Sequence, residues 1–298
     1  MKIELKTPAK INLAIRILRK RSDGFHDLET ILQMVSLYDR MKFEPAESGV
    51  IIRCGTFGIP EDETNLAVRA ARLLQASFPE STKAGVLIRL EKNIPFGAGL
   101  AGGSSNAAGT LLALNRFWDL SLTRENLLPL AEKLGSDVPF FLSSPLAFGE
   151  GRGERLTPLK PREKFYVVII YPGISIPTSW VYSNLNLKLT KIEKNISILR
   201  KFLSLSDISQ LGILLENDLE PVVFNRYPEI LKLKEELRGS GAKGVLMSGS
   251  GSAVFGIFTD FRAAENASRV LQSGNGRAVF LTHTIERFSE FLPNTLIV

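Results

Sequence analysis

Pro95-Phe96-Gly97-Ala98-Gly99-Leu100-Ala101-Gly102-Gly103-Ser104-Ser105-Asn106-Ala107-Ala108 is the stretch on which the reading of this chain turns. Its glycines let the backbone come close to a ligand and take conformations closed to other residues. Beyond it Ala108, Leu111, Leu112 and Asn115 recur on successive turns, so a helix is expected from about Ser104 to Trp118. A loop that feeds a helix start offers free N–H groups and the positive end of the helix dipole, and both favour phosphate. Pro95, Phe96, Gly97, Ala98, Gly99, Leu100, Ala101, Gly102, Gly103, Ser104 and Ser105 are therefore candidate nucleotide-binding residues. The serine hydroxyls suit phosphate oxygens or a magnesium ion, with Ser105 the candidate on the metal side.

Two familiar loops fit poorly. No Gly-Lys-Ser/Thr closes the segment, so it is not a Walker A loop. Gly97, Gly99 and Gly102 spell GxGxxG, but that motif should follow the first strand of a βαβ unit directly. Here Pro95 and several further residues separate it from the strand expected at 85–90.

Upstream, Ile11, Leu13, Ile15 and Ile17 alternate with Asn12, Ala14 and Arg16, the pattern of a half-buried strand that puts Lys10 and Asn12 on one face. An Asp23-Gly24 turn in Arg21-Ser22-Asp23-Gly24-Phe25-His26 leads to a second strand near 30–37, with short strands at 42–45 and 50–54 and a helix over 65–78. Downstream a helix over 124–134 stops at Gly135, just before Ser136-Asp137-Val138-Pro139. Gly, Pro and charge dominate 149–163, the expected domain boundary. The second half reads as a strand at 165–171, helices near 196–203, 206–216 and 228–238, a strand over 244–258 interrupted by MSGSGS, and a helix at 261–272. Strands and helices mixed in both halves predict an α+β protein of two domains.

Composition excludes several classes. With 298 residues, 44% hydrophobic and 23% charged, the chain is neither disordered nor fibrous. A single cysteine, Cys54, rules out an intramolecular disulfide or a four-cysteine zinc site, and His26 and His283 lie far apart in sequence, neither in a metal-ligand spacing. The start MKIELKTPAK carries charge where a secretory signal would be apolar, and the apolar run at 165–171 is too short for a bilayer, so a cytoplasmic protein without membrane partner is expected. The net charge of +6 is spread along the chain, which favours small anionic substrates over nucleic acid.

The glycine-rich loop resembles the second motif of the galacto-, homoserine, mevalonate and phosphomevalonate (GHMP) kinase superfamily. Pro8-Ala9-Lys10-Ile11-Asn12-Leu13 resembles the opening motif and Met247-Ser248-Gly249-Ser250-Gly251-Ser252 the third. Arg21-Ser22-Asp23-Gly24-Phe25-His26 and Tyr171-Pro172-Gly173-Ile174-Ser175 resemble segments of the cytidine-specific branch. The resemblance runs over nearly the whole chain.

It implies an N-terminal ATP-binding α/β domain over 1–158 and a C-terminal ferredoxin-like α+β domain over 159–298, with the active site in the cleft between them. It implies ATP and Mg2+ as cofactors and a cytidine diphosphate small molecule as substrate, phosphorylated on the 2-hydroxyl of its methylerythritol moiety in the non-mevalonate route to isoprenoid precursors. Lys10 and Asp137 match the catalytic pair. Phosphoryl transfer needs relief of the hydroxyl proton and positive charge near the moving group, roles suited to Asp137 and Lys10 respectively. His26 matches the position that reads the cytosine edge, and Phe25 and Tyr182 match aromatic positions that stack on the base. Asn12, Gly249 and Gly251 complete the expected substrate contacts. Ala101 stands where the family loop usually has glycine, harmless if its φ is negative. Another GHMP kinase, or a nucleotide sensor without turnover, is the alternative; a monomer or homodimer is expected.

Overall fold

A computed structural model describes residues 1–82, 84–160, 164–185, 200, 208–272 and 276–297. The helix expected near 196–203 falls, apart from Arg200, outside the described residues.

Strands β1 (Ile3–Lys20) and β2 (His26–Ala46) form a long antiparallel hairpin. Both outrun the short strands that alternation suggests, because side chains from Thr7 to Ile15 are buried without a break and bulges interrupt the ladder. One register shift, between Pro8 and Ala9, matters for function. Before it Ile3 and Leu5 face the core under the helices; after it Ala9, Ile11 and Leu13 face the core between the two sheets. The alternate residues Lys10 and Asn12 are thereby turned toward the glycine-rich loop, since a change of register exchanges the faces of a strand.

β3 (Val50–Arg53) and β4 (Gly85–Glu91) extend this sheet at one side, and β5 (Leu146–Glu150) and β6 (Arg155–Pro158) pair as a hairpin on β2. Of the stretch 149–163, expected as a boundary, residues 149–160 are thus mostly a hairpin turn and its second strand, and 161–163 lie outside the described residues. Helices α1 (Leu66–Ser77), α2 (Gly102–Phe117), α3 (Arg124–Leu134) and the single turn α4 (Phe140–Ser143) cover the first core. Asn65 caps α1 by accepting from Ala67 N–H at 2.9 Å. α2 lies close on β1 because a Cβ on Gly109 would come 2.5 Å from the Thr7 methyl.

The second sheet has the order β11-β7-β10-β9, antiparallel throughout: β7 (Tyr166–Tyr171), β9 (Gly244–Met247), β10 (Val254–Phe258) and β11 (Ala278–His283). This is the ferredoxin-like arrangement. One face, with Val167, Ile169, Phe255 and Ile257, packs on Ile11, Leu13 and Ile31 of the first sheet. The other is covered by α5 (Thr178–Ser183), α7 (Glu220–Arg226), α8 (Pro228–Gly239) and α9 (Phe261–Leu271), with α6 (Ile208–Leu214) beside β9. A two-residue strand β8 (Glu216–Asn217) crosses back to pair in parallel with β1. The chain then ends on the first unit: Ile285, Phe291, Leu292 and Leu296 pack among residues of α2, α3 and α4. Among the described residues no helix is long and apolar enough to cross a membrane.

Candidate active site

The loop from Pro95 to Ala101 carries the chain from β4 into α2, and its carbonyls are spoken for. Leu100 O accepts from Lys10 N–H at 3.1 Å, Ala98 O from Ala253 N–H at 3.1 Å, and Gly99 O from both Lys10 Nζ at 2.9 Å and Ser248 Oγ at 3.0 Å. The loop at 248–252 therefore lies directly against it. A Cβ on Gly99 would sit 2.0 Å from Ser248 O, and one on Gly249 3.0 Å from Gly99 O and 3.2 Å from Lys10 Nζ. Only glycine permits this approach.

With the carbonyls held, N–H groups face outward. The first helical bond of α2 runs from Ser105 N–H to Ala101 O at 3.0 Å, so the N–H groups of Gly102, Gly103 and Ser104 have no partner within the helix. Ala101 takes φ 54° and ψ 32°, a left-handed conformation. The negative φ that would make its methyl harmless is not what the chain adopts. Gly103 and Ser104 line a cavity of about 590 Å³. Ser105 does not line it: its residue is 1% exposed and its hydroxyl has no hydrogen-bond partner. Ser104, one residue earlier, is the serine that lines it.

Lys10 and Asp137 meet at the centre. Nζ of Lys10 donates to Asn12 Oδ1 at 2.5 Å and stands 3.9 Å from Asp137 Oδ2. Burial pushes the Lys10 ammonium below its ordinary range, and the Asp137 charge opposes that push. Asn12 passes the order on, donating to Thr30 Oγ1 at 2.9 Å, which in turn donates to Ala14 O. Asp137 itself is partly open, its side chain 39% exposed, which leaves its carboxylate accessible to a ligand.

Two supports escaped the sequence reading. Lys92 lines the cavity beside Gly102, where its Nζ donates to Asp39 Oδ2 and Ile94 O, each at 2.6 Å. Asp39, fully buried, also accepts the N–H groups of Asn93 and Ile94 at 2.8 Å, pinning the entry to the loop. Burial lowers the Lys92 pKa, against the pull of Asp39. Asn217 on β8 donates to Met247 O at 2.9 Å and Gly249 O at 2.8 Å, fixing the other loop. Lys92 sits just ahead of the loop and Asn217 heads Asn217-Asp218-Leu219-Glu220; only tertiary contacts distinguish them from surface polar residues.

The aromatic group is brought together in part. His26, 7% exposed, lies 5.3 Å from the Tyr182 ring, and Tyr182 lines the cavity. Burial lowers the His26 pKa, helped by Lys20, so the neutral ring is favoured. Burial also raises the Tyr182 hydroxyl, with Asp137 adding to it. Phe25 is exposed, and Arg152 lies over its ring. Gly249 lines the cavity; Gly251 does not, and a Cβ there would meet Met247 Sδ at 2.7 Å.

Glycine loops meeting over a lysine and a carboxylate, at the junction of these two sheets, define a phosphotransferase. The chain belongs to the GHMP kinase family: residues 65–144 match its N terminal domain and 198–277 its C terminal domain. It is 46% identical over 265 residues to the 4-diphosphocytidyl-2-C-methyl-D-erythritol kinase of Syntrophus aciditrophicus, covering 89% of this chain and 93% of that one. The enzyme of the same name from Citrifermentans bemidjiense is 44% identical, covering 90% and 93%. A crystal structure of 4-(cytidine 5'-diphospho)-2C-methyl-D-erythritol kinase superposes with a TM-score of 0.81 at 36% identity, covering 95% of this chain and all of that one. Homoserine kinase from Cytophaga hutchinsonii, at 21% identity and a TM-score of 0.75, shares the fold.

Proposed function

We infer that the protein is an ATP-dependent kinase acting on 4-diphosphocytidyl-2-C-methyl-D-erythritol, giving the 2-phosphate and ADP in the non-mevalonate pathway. The observation that carries the reading is the Lys10–Asp137 pair at 3.9 Å, held where both glycine-rich loops touch. Asp137 takes the proton of the 2-hydroxyl as its oxygen bonds to the γ-phosphorus and the bond to the ADP oxygen breaks. Lys10, 3.9 Å from Asp137, stabilises charge on the transferring oxygens. The N–H groups of Gly102, Gly103 and Ser104 hold ATP phosphates.

The residues present fit magnesium bound mainly through phosphate. Among the described residues no three His, Cys, Asp or Glu side chains cluster, and Asp137 is the acidic residue lining the cavity. Such an ion takes one or two carboxylates plus phosphates and water. Asp137 and the Ser104 hydroxyl would hold it, and it would neutralise the β- and γ-phosphates. Tyr182, His26 and Phe25 receive the cytosine end, and Asn12 orients the alcohol. We place the enzyme in the cytoplasm, as a monomer or homodimer.

The test is ADP release with ATP and magnesium, comparing the cytidine compound with mevalonate, homoserine and galactose. Turnover with the cytidine compound alone is expected. Turnover with one of the other alcohols would keep the phosphate site and overturn the substrate.

A further inference from the structure

Arg152 stands in the turn between β5 and β6, a turn tied firmly to β2. Leu28 N–H donates to Gly151 O at 2.7 Å, and Arg152 N–H donates to the Glu154 carboxylate at 2.6 Å. From there Arg152 lines the cavity with Gly153, Leu28 and Tyr182. Its guanidinium carbon is 5.0 Å from the centroid of the Phe25 ring, and its Nε is 3.9 Å from Glu154, beyond hydrogen-bond length. A guanidinium stacked on an aromatic ring keeps its edge donors free, in a fork that matches phosphate oxygens.

Charge points the same way. Among the described residues the cations lining the cavity are Lys10, Lys92 and Arg152. Lys10 is committed to Asp137 and Gly99 O, and Lys92 is neutralised by buried Asp39. A substrate joined to its nucleoside by a diphosphate brings negative charge beyond that of ATP, and of the three Arg152 is the cation whose head group makes no side-chain hydrogen bond among the described residues, its charge met only at longer range by Glu154 at 3.9 Å and by Asp23. We propose that Arg152 binds the diphosphate of the nucleotide-linked substrate, with the Phe25 ring as the platform that orients its guanidinium. The inference rests on the substrate reading above and adds a specificity residue to it.

Arg152→Gln and Arg152→Lys in the full chain test it, with cytidine diphosphate and cytidine as competing ligands. Arg152→Gln should raise KM for the cytidine substrate and the inhibition constant of cytidine diphosphate about tenfold, a loss of about 1.4 kcal/mol. The KM for ATP, which also reports folding, should stay within about twofold, and kcat should fall less than KM rises. Arg152→Lys should recover part of the loss, since it keeps the charge without the fork. Cytidine, lacking the diphosphate, should bind wild type and Arg152→Gln alike. Equal weakening of cytidine and cytidine diphosphate would overturn the proposal, leaving Arg152 as a support for Phe25. An unchanged cytidine diphosphate constant would overturn it while leaving the enzyme's reaction intact. A wild-type protein inert toward the cytidine substrate and blind to cytidine diphosphate would overturn both readings.

Discussion

Lys10 shows how one side chain can be tuned by its surroundings. A lysine whose folded-state pKa lies below its unfolded value binds fewer protons when folded, so it costs stability at neutral pH. That cost is relieved as pH rises from the lowered value toward 10.5. Lys10→Met should therefore flatten the rise in stability across that interval in urea unfolding, and turnover by the wild type should fade on the alkaline side before pH 10.5. Asp137→Asn keeps the shape and removes the proton acceptor, so kcat should drop about 10²- to 10⁴-fold, well beyond any rise in KM for ATP from the lost magnesium contact. Retained turnover would assign the proton to another group. Ala101 carries a different burden, a left-handed backbone with a methyl attached. Ala101→Gly exchanges about 1–2 kcal/mol of strain for about 0.5–1 kcal/mol of glycine entropy. Guanidinium unfolding should report a net gain of about 0.5 kcal/mol, and a loss would mean that the methyl packs usefully. The sequence identified Ala101 as unusual, but its φ depends on how α2 is seated.

At the level of elements, the glycine loop at 248–252 owes its place to β8, which is only two residues long. Removing the Asn217 amide by Asn217→Ala leaves the buried carbonyls of Met247 and Gly249 short of donors, at a cost of about 1–3 kcal/mol. Chemical unfolding should show that loss, and turnover should suffer too because Gly249 abuts Lys10. Turnover unchanged in a destabilised variant would restrict Asn217 to folding. The longer helices were legible in the sequence, while the short α4, α5 and α7 were not: α3 runs over 124–134 as expected, and α1 and α2 differ from the reading by a residue or two, because caps and a repeat of 3.6 residues are local signals. The length of the hairpin was not, since the alternation at 11–17 marks only part of β1 and bulges change the phase along it. Lys92, Asp39, Arg152 and Asn217 were missed for a related reason: each acts through partners distant in the chain.

For the whole molecule, the core between the sheets joins the two units, with Ile11 and Leu13 packed on Phe255 and Ile257. A boundary between them should consequently be invisible to heat. Calorimetry is expected to give one transition, raised by nucleotide, with ATP at a hundred times its Kd adding about 2.7 kcal/mol. Two separable transitions would show that the shared core does not couple them. The return of the last segment has a consequence of another kind. Phe291, Leu292 and Leu296 fill a gap among the helices of the first unit, and Ile285 N–H donates to Met34 O at 3.0 Å. During synthesis at about 5–20 residues per second, domains tend to fold in order of emergence. This one, however, must wait with an open seam while the ferredoxin-like unit is translated. A nascent chain arrested after Ser143 should accordingly be far more sensitive to protease, and more readily held by chaperones, than the finished enzyme.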